Sequence, residues 1–242
     1  LTDAGGMLAT RLLLRADALC LTLRAYVERL RAEYGAPNLH HVPHGLFDEP
    51  TLLPPHAGRN LLMFASHAPY KGLPGLLAAL EPLRQGDPQV TLTVAGGDHP
   101  RFPGYSAAAR AQWGERAGVR WLGPLDEAGV RAAFASAQVV VLPGTASTGA
   151  SSVLHRAAGY GRPVVASDLP DLRAVAAEED LRVNFTPPGD AGQLAAALRG
   201  LLADPVRQRE QAEHNLCAVQ RMSLAHTCRQ YLEVFGRVSH SP

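Results

Sequence analysis

Two short stretches of this 242-residue chain carry residue types that suit an anion. The first is Ala65-Ser66-His67-Ala68-Pro69-Tyr70-Lys71-Gly72, where an apolar run ends and a leucine-rich helical pattern begins. A lysine at a helix N-terminus adds a point charge to free backbone N–H groups and to the positive end of the helix dipole, a combination that holds a phosphate. The second is Pro143–Ser152, with five hydroxyl residues (Thr145, Ser147, Thr148, Ser151, Ser152) and two glycines, Gly144 and Gly149. Small residues let backbone approach a ligand closely, and a hydroxyl at a helix start caps it. One cap needs only Ser151 or Ser152; the whole stretch reads as an anion cradle.

Other chemistries find less support. Gly96-Gly97 lacks the G-x-G-x-x-G spacing of a dinucleotide site, and neither a P-loop nor a G-x-S-x-G elbow occurs. His40, His41 and His44 cluster without carboxylates, so no metal site is expected. The 23 Lys and Arg against 22 Asp and Glu give a net charge of +1 and no reason to expect nucleic-acid binding. Cys20, Cys217 and Cys228 are odd in number and lack C-x-x-C spacing, which fits a reducing cytoplasm better than a disulfide framework or a zinc site. No apolar run approaches the ~20 residues of a membrane span, and Leu12–Leu14 is broken by Arg11, Arg15 and Asp17. The start on Leu1 rather than Met reads as a fragment or a processed chain.

The elements that must carry the two stretches alternate. Strands are expected at Leu61–Ala65, Val90–Ala95, Val119–Leu122, Gln138–Leu142, Pro163–Ala166 and, as an edge, Leu181–Phe185. Helices are expected at Leu73–Arg84, Ser106–Ala117, Glu127–Ala135, Gly149–Tyr160, near Leu172–Ala177 and at Ala191–Leu202. Val139–Leu142 and Val164–Ala166 are apolar without alternation, the mark of strands covered on both faces. Six strand–helix repeats predict a doubly wound, Rossmann-like parallel sheet, with ligands at the C-terminal ends of its strands. Leu1–Gly35 reads as largely helical, because Leu19, Leu23, Val27 and Leu30 recur near every fourth residue. Leu39–Val42 reads as one strand and Pro50–Gly58 as a linker. Pro205–Val219 and Ala225–Val238 read as helices, the second amphipathic through Tyr231, Leu232 and Phe235.

In this order the landmarks resemble the donor-binding, C-terminal domain of family 4 glycosyltransferases of the GT-B fold. Val42-Pro43-His44-Gly45 is similar to the hinge after the front domain, and Pro69-Tyr70-Lys71-Gly72 to the diphosphate lysine loop. Val94-Ala95-Gly96-Gly97 resembles the glycine turn after the second strand, and Val119–Gly123 the strand whose following loop receives the nucleobase. Ala157–Ser167 resembles the family's most recognisable block, and the Tyr231-Leu232 helix the one that crosses back toward the front domain. The family's two glutamates, separated by seven residues, would fall on Thr148 and Arg156; its arginine five residues before the lysine would fall on Ser66. Thr148-Gly149-Ala150-Ser151-Ser152 resembles a branch that uses Thr-Gly-x-Ser-Ser in place of the first glutamate.

The resemblance implies a front-domain remnant over 1–45 whose last helix is Asp17–Gly35, a nucleotide-sugar-binding domain over 46–220 and a crossover helix over 221–242. It implies transfer of a hexose from a nucleoside-diphosphate sugar to an acceptor hydroxyl with retained configuration, without a metal or other cofactor. Lys71 is the expected catalytic residue, and Ser66, Lys71, Gly97, Leu122, Gly123, Thr148, Gly149, Ser151, Ser152 and Arg156 the expected donor site. Expected partners are the nucleotide-sugar, an acceptor glycan, lipid or small molecule, and a front domain supplied by the full-length protein or another chain. The expected location is the cytoplasm, with a peripheral place at the inner membrane as a variant. The alternatives are a non-catalytic nucleotide-sugar-binding module, or another GT-B enzyme such as a nucleotide-sugar epimerase or a sugar phosphorylase.

Overall fold

The computed structural model describes residues 4–46, 48–54, 58–113, 116–146 and 149–239. The chain divides into two compact units, 1–47 with 221–242, and 48–220. The first unit begins with helix α1 (Ala4–Leu13), strand β1 (Leu19–Leu21), helix α2 (Arg24–Tyr34) and strand β2 (Leu39–His41). The expected continuous helix over Asp17–Gly35 is thus corrected. Leu19, Cys20 and Leu21 pair in parallel with Leu39, His40 and His41, and the near-four spacing is satisfied inside α2 alone, where Val27 is buried. Gly35 ends α2 at φ 64°, in the left-handed region where a missing Cβ costs nothing.

The second unit runs β3 (Arg59–Phe64), a 3₁₀ turn at Pro69–Lys71, α3 (Leu73–Gly86), β4 (Val90–Ala95), α4 (Tyr105–Trp113), β5 (Val119–Trp121), α5 (Glu127–Ala135) and β6 (Val139–Leu142). It continues through α6 (Ser152–Gly159), β7 (Val164–Ser167), α7 (Pro170–Glu178), β8 (Asn184–Thr186), α8 (Ala191–Leu202) and α9 (Pro205–Val219). All six of its strands are parallel, in the order β5-β4-β3-β6-β7-β8. The sheet is therefore the doubly wound α/β sheet that its apolar runs predict. Its winding reverses between β3 and β6, which places a crevice beyond the C-terminal ends of those two strands.

Burial follows from alternation along each strand. Leu61, Met63, Val139 and Val141 pack on one face with Leu76, Leu80 and Leu83 of α3 and Leu194 and Leu198 of α8. Leu62 and Val140 point the other way and are as fully buried, as are Phe134 of α5 and Leu154 of α6. Each such side chain removed from water contributes about 1.5–3 kcal/mol.

Three boundaries shift for local reasons. The edge strand begins at Asn184 rather than Leu181, because Leu181 N–H closes the end of α7 on Ala176 and Arg182 N–H goes to the Asn215 side chain. Helix α4 begins at Tyr105, after the Asp98 carboxylate takes the Gly104 and Ser106 N–H groups, and ends at Trp113. Helix α6 begins at Ser152 rather than Gly149, since Gly149 sits at φ 89°.

The last element, α10 (Leu224–Ser239), belongs to the first unit. Gly45 lies against it so closely that an added Cβ would stand 2.9 Å from Thr227 Oγ1. Its buried side is Thr227 and Val234, whereas Leu232 and Phe235 of the amphipathic stripe are exposed.

Candidate donor site at the strand reversal

Beyond β3 and β6 lies a cleft of about 210 Å³. One wall is the loop after β3, with Ala65, Ser66 and Lys71; the other is the loop after β6 and the start of α6, with Pro143, Gly144, Ala146 and Gly149 to Val153. Leu169 and Leu172 of the α7 region close it.

The lysine wall is shaped by sequence-local rules. Pro69 sets the first position of the 3₁₀ turn, Lys71 N–H closes on Ala68, and Gly72 adopts φ 77° to pass from that turn into α3. Gly72 meets the opposite wall without space, since a Cβ there would lie 1.9 Å from the Pro143 carbonyl oxygen. Thr145 N–H donates to the Tyr70 carbonyl at 2.8 Å, which ties the same two loops a second time. Lys71 is half-buried, and burial pushes its ammonium below the ordinary lysine range. Its Nζ lies 5.3 Å from the centre of the Tyr70 ring, a cation–π contact, and no carboxylate pairs with it among the described residues.

The opposite wall carries no cation. Ser151 is the N-cap of α6 and its Oγ accepts from Leu154 N–H at 3.3 Å. Gly149 N–H donates to the Asp171 carboxylate at 2.8 Å. Hydroxyls, backbone donors and a helix N-terminus therefore face Lys71 across a narrow gap, an arrangement that accepts negative charge from two sides.

Of the expected site residues, Ser66, Lys71, Gly149, Ser151 and Ser152 line this cleft together. Gly97, Leu122 and Gly123 lie on the same sheet edge, at the ends of β4 and β5. Gly97 carbonyl accepts from His67 N–H at 2.8 Å, Leu122 N–H donates to Val94, and Gly96 N–H donates to Gly123. Thr148 lies outside the described residues. Arg156 does not line the cleft: its guanidinium meets Glu127 at 2.9 Å and Asp48 at 3.8 Å. Those acidic neighbours hold its pKa above the usual arginine value despite partial burial. Asp48 also accepts from the Tyr160 hydroxyl at 2.8 Å; burial and this carboxylate push the Tyr160 phenol up to about 12.

Two buried histidines behind the cleft loops receive no role from the sequence. His67 is buried, with Nε2 bonded to the Ala95 carbonyl at 3.0 Å, and burial lowers its pKa. His155 is buried against Glu179 at 2.6 Å. Among the described residues no group of three or more His, Cys, Asp or Glu side chains is placed to hold a metal ion, and no helix is long and apolar enough to cross a membrane.

A family model described as glycosyl transferases group 1 matches residues 58–204. A phosphatidyl-myo-inositol mannosyltransferase of Mycolicibacterium smegmatis is 34% identical over 188 residues, covering 76% of this chain and 47% of the relative. A glycogen synthase of Mycobacterium tuberculosis is 32% identical over 159 residues, covering 65% of this chain and 37% of the relative. The chain thus spans about half the length of the mannosyltransferases it matches. Among solved structures, Anabaena HepE in complex with UDP and glucose superposes with a TM-score of 0.81 at 20% identity, covering 98% of this chain and 67% of that one. A glycosyltransferase from Rickettsia africae superposes with a TM-score of 0.79 at 15% identity, over 100% of this chain and 69% of that one. At these identities the two structures speak to the fold.

Proposed function

Since the chain belongs to the glycosyl transferases of group 1, we propose that it is the donor-binding half of a glycosyltransferase that moves a hexose from a nucleoside-diphosphate sugar to an acceptor hydroxyl with retained configuration. The observation that carries this reading is the cleft at the strand reversal, where Lys71 faces the N-terminus of α6. In the reaction, the bond from the anomeric carbon to the β-phosphate oxygen breaks, its electron pair leaves with the diphosphate, and the acceptor oxygen bonds to that carbon as its hydroxyl proton passes to the departing diphosphate. Negative charge grows on the leaving diphosphate. Lys71, as the catalytic residue, and the backbone N–H groups of Ser151 and Ser152 meet that charge with dipoles already in place, Gly149 lets the backbone approach, and Ser66 and Thr148 add hydroxyls. Preorganised donors of this kind are worth about 2.7–4 kcal/mol of barrier each. Gly97, Leu122 and Gly123 take the nucleoside end.

The glycose-transferring names of the relatives and the UDP in HepE support a nucleotide-sugar donor. The mannosyltransferases are named for phosphatidyl-myo-inositol, which favours a lipid among the acceptors and a peripheral place at the inner membrane of the cytoplasm. A front domain from the rest of the protein or another chain closes the site against water. A second reading, a nucleotide-sugar-binding module without transfer, is favoured by Arg156 standing where the family resemblance expects an acidic residue.

Calorimetric titration with UDP-, GDP- and ADP-sugars tests the proposal, with Lys71→Ala alongside. One donor is expected to bind, and Lys71→Ala to weaken it by about 2–3 kcal/mol while leaving the matching nucleoside unaffected. Equal weakening of both would remove Lys71 from the diphosphate. Binding without transfer once a front domain is supplied would favour the second reading.

A further inference from the structure

His155 and Glu179 are buried together, their side chains 1% and 7% exposed. His155 is the fourth residue of α6 and Glu179 the C-cap of α7, placed there as the next residue, Asp180, turns into the left-handed region at φ 55°. His155 Nε2 lies 2.6 Å from Glu179 Oε2, and His155 Nδ1 lies 2.8 Å from the Ser151 carbonyl oxygen.

These contacts define a proton inventory. A carbonyl oxygen only accepts, so Nδ1 carries a hydrogen. A ring nitrogen and a carboxylate oxygen at 2.6 Å need a second hydrogen between them, because two lone pairs at that distance repel. Through that hydrogen the ring and the carboxyl make a short bond of the charge-assisted kind. Buried pairs of this kind are weak sources of net stability, so what this one supplies is geometry.

That geometry ends in the cleft. The carbonyl held by His155 belongs to Ser151, the residue whose hydroxyl caps α6 and lines the cleft. From the other end of α7, Asp171 holds Gly149 N–H. One helix thus grips the loop at two points, directly through Asp171 and through His155 from Glu179.

We propose that His155, clamped by Glu179, is a positioning residue that fixes the Gly149–Ser152 turn for the diphosphate of the donor. The role rests on the donor reading above, while the clamp itself is testable without any nucleotide.

The experiment compares the parent chain with Glu179→Ala, His155→Leu and Glu179→Gln. Nitrogen-detected NMR of the parent is expected to show a hydrogen bond joining His155 Nε2 to the Glu179 carboxyl, and amide exchange at Leu154 and His155 to accelerate at least tenfold in Glu179→Ala. A parent without that bond, or unchanged exchange in Glu179→Ala, overturns the clamp whatever the donor does. UDP, GDP and ADP, with their nucleosides, are then titrated calorimetrically. Displacing a binding group by an ångström costs up to about a hundredfold, so diphosphate affinity is expected to fall tenfold or more in Glu179→Ala and His155→Leu with nucleoside affinity unchanged. Glu179→Gln offers the ring an amide N–H, lets a neutral His155 keep both bonds, and is expected to retain affinity within about threefold. Variants that lose stability yet keep the parent's preference for diphosphate over nucleoside overturn the positioning role. If no nucleotide binds the parent, the donor reading and the positioning role fall together, and the NMR and exchange results decide the clamp alone.

Discussion

The two walls of the cleft are held by opposite means. At the lysine wall, Gly72 has no side-chain cap to offer; the turn is fixed by the absence of a Cβ against Pro143 and by the Thr145–Tyr70 hydrogen bond. At the other wall, Ser151 caps α6 with its own hydroxyl, while the Asp171 carboxylate holds Gly149 N–H. The first wall is a steric fit that presents a mobile cation; the second is a hydrogen-bonded network that presents fixed dipoles. Charge and rigidity are thereby divided between facing surfaces, and each wall fails in its own way.

The steric wall has the most to lose. Gly72→Ala forces a left-handed alanine into the Pro143 carbonyl, and a loss of about 2–4 kcal/mol in urea denaturation is expected, with donor binding abolished. A fully stable Gly72→Ala protein would show that the walls can separate. Next comes Lys71. Because burial lowers its pKa, it sheds its proton sooner than a surface lysine as pH rises. Diphosphate affinity should fall through that lowered value, and a Lys71→Met variant should show a flat profile there. The same titration acts oppositely on folding. The unfolded chain, with its higher lysine pKa, binds more protons in this window, so this group's contribution to stability rises with pH and the loss of affinity is not unfolding in disguise. At the networked wall, Ser151→Ala removes one cap, for which thermal or urea unfolding should register about 1 kcal/mol. The smallest effect is expected at Arg156. Its partner Glu127 is well exposed, so Arg156→Ala should cost no more than about 1 kcal/mol and leave nucleoside affinity within about twofold. A tenfold drop in nucleoside affinity would instead assign the ribose to Arg156.

The parts of this molecule legible in its sequence are those set by neighbours along the chain. Val139–Leu142 and Val164–Ala166 announce doubly covered parallel strands, and the glycine and hydroxyl content of 143–152 announces a loop that opens onto a cleft. What stayed hidden depends on contacts far apart in sequence. β1 is a strand because Leu19–Leu21 finds Leu39–His41, while the leucine spacing alone imitates a longer helix. β8 starts late because Asn215, on a later helix, claims Arg182 N–H. Nothing in the sequence marks His155, and only the meeting of α6 with the end of α7 supplies Glu179. Arg156 was readable as a departure from a pattern, but its turn toward Asp48 and Glu127 was not.

The pairing of β3 with β6 also has a consequence for how the protein comes into being. Leu61 meets Val139 and Leu62 meets Val140, so two strands that touch are separated by the whole of α3, β4, α4, β5 and α5. During synthesis the β5-β4-β3 half, complete with Lys71, emerges first and has local partners; the β6-β7-β8 half follows. The cleft exists only once the long loop between them has closed, a slow kind of event because its entropy is lost before its contacts are gained. The cleft is therefore acquired late, and a ligand at this seam would stabilise the joined sheet while offering nothing to the half-made chain.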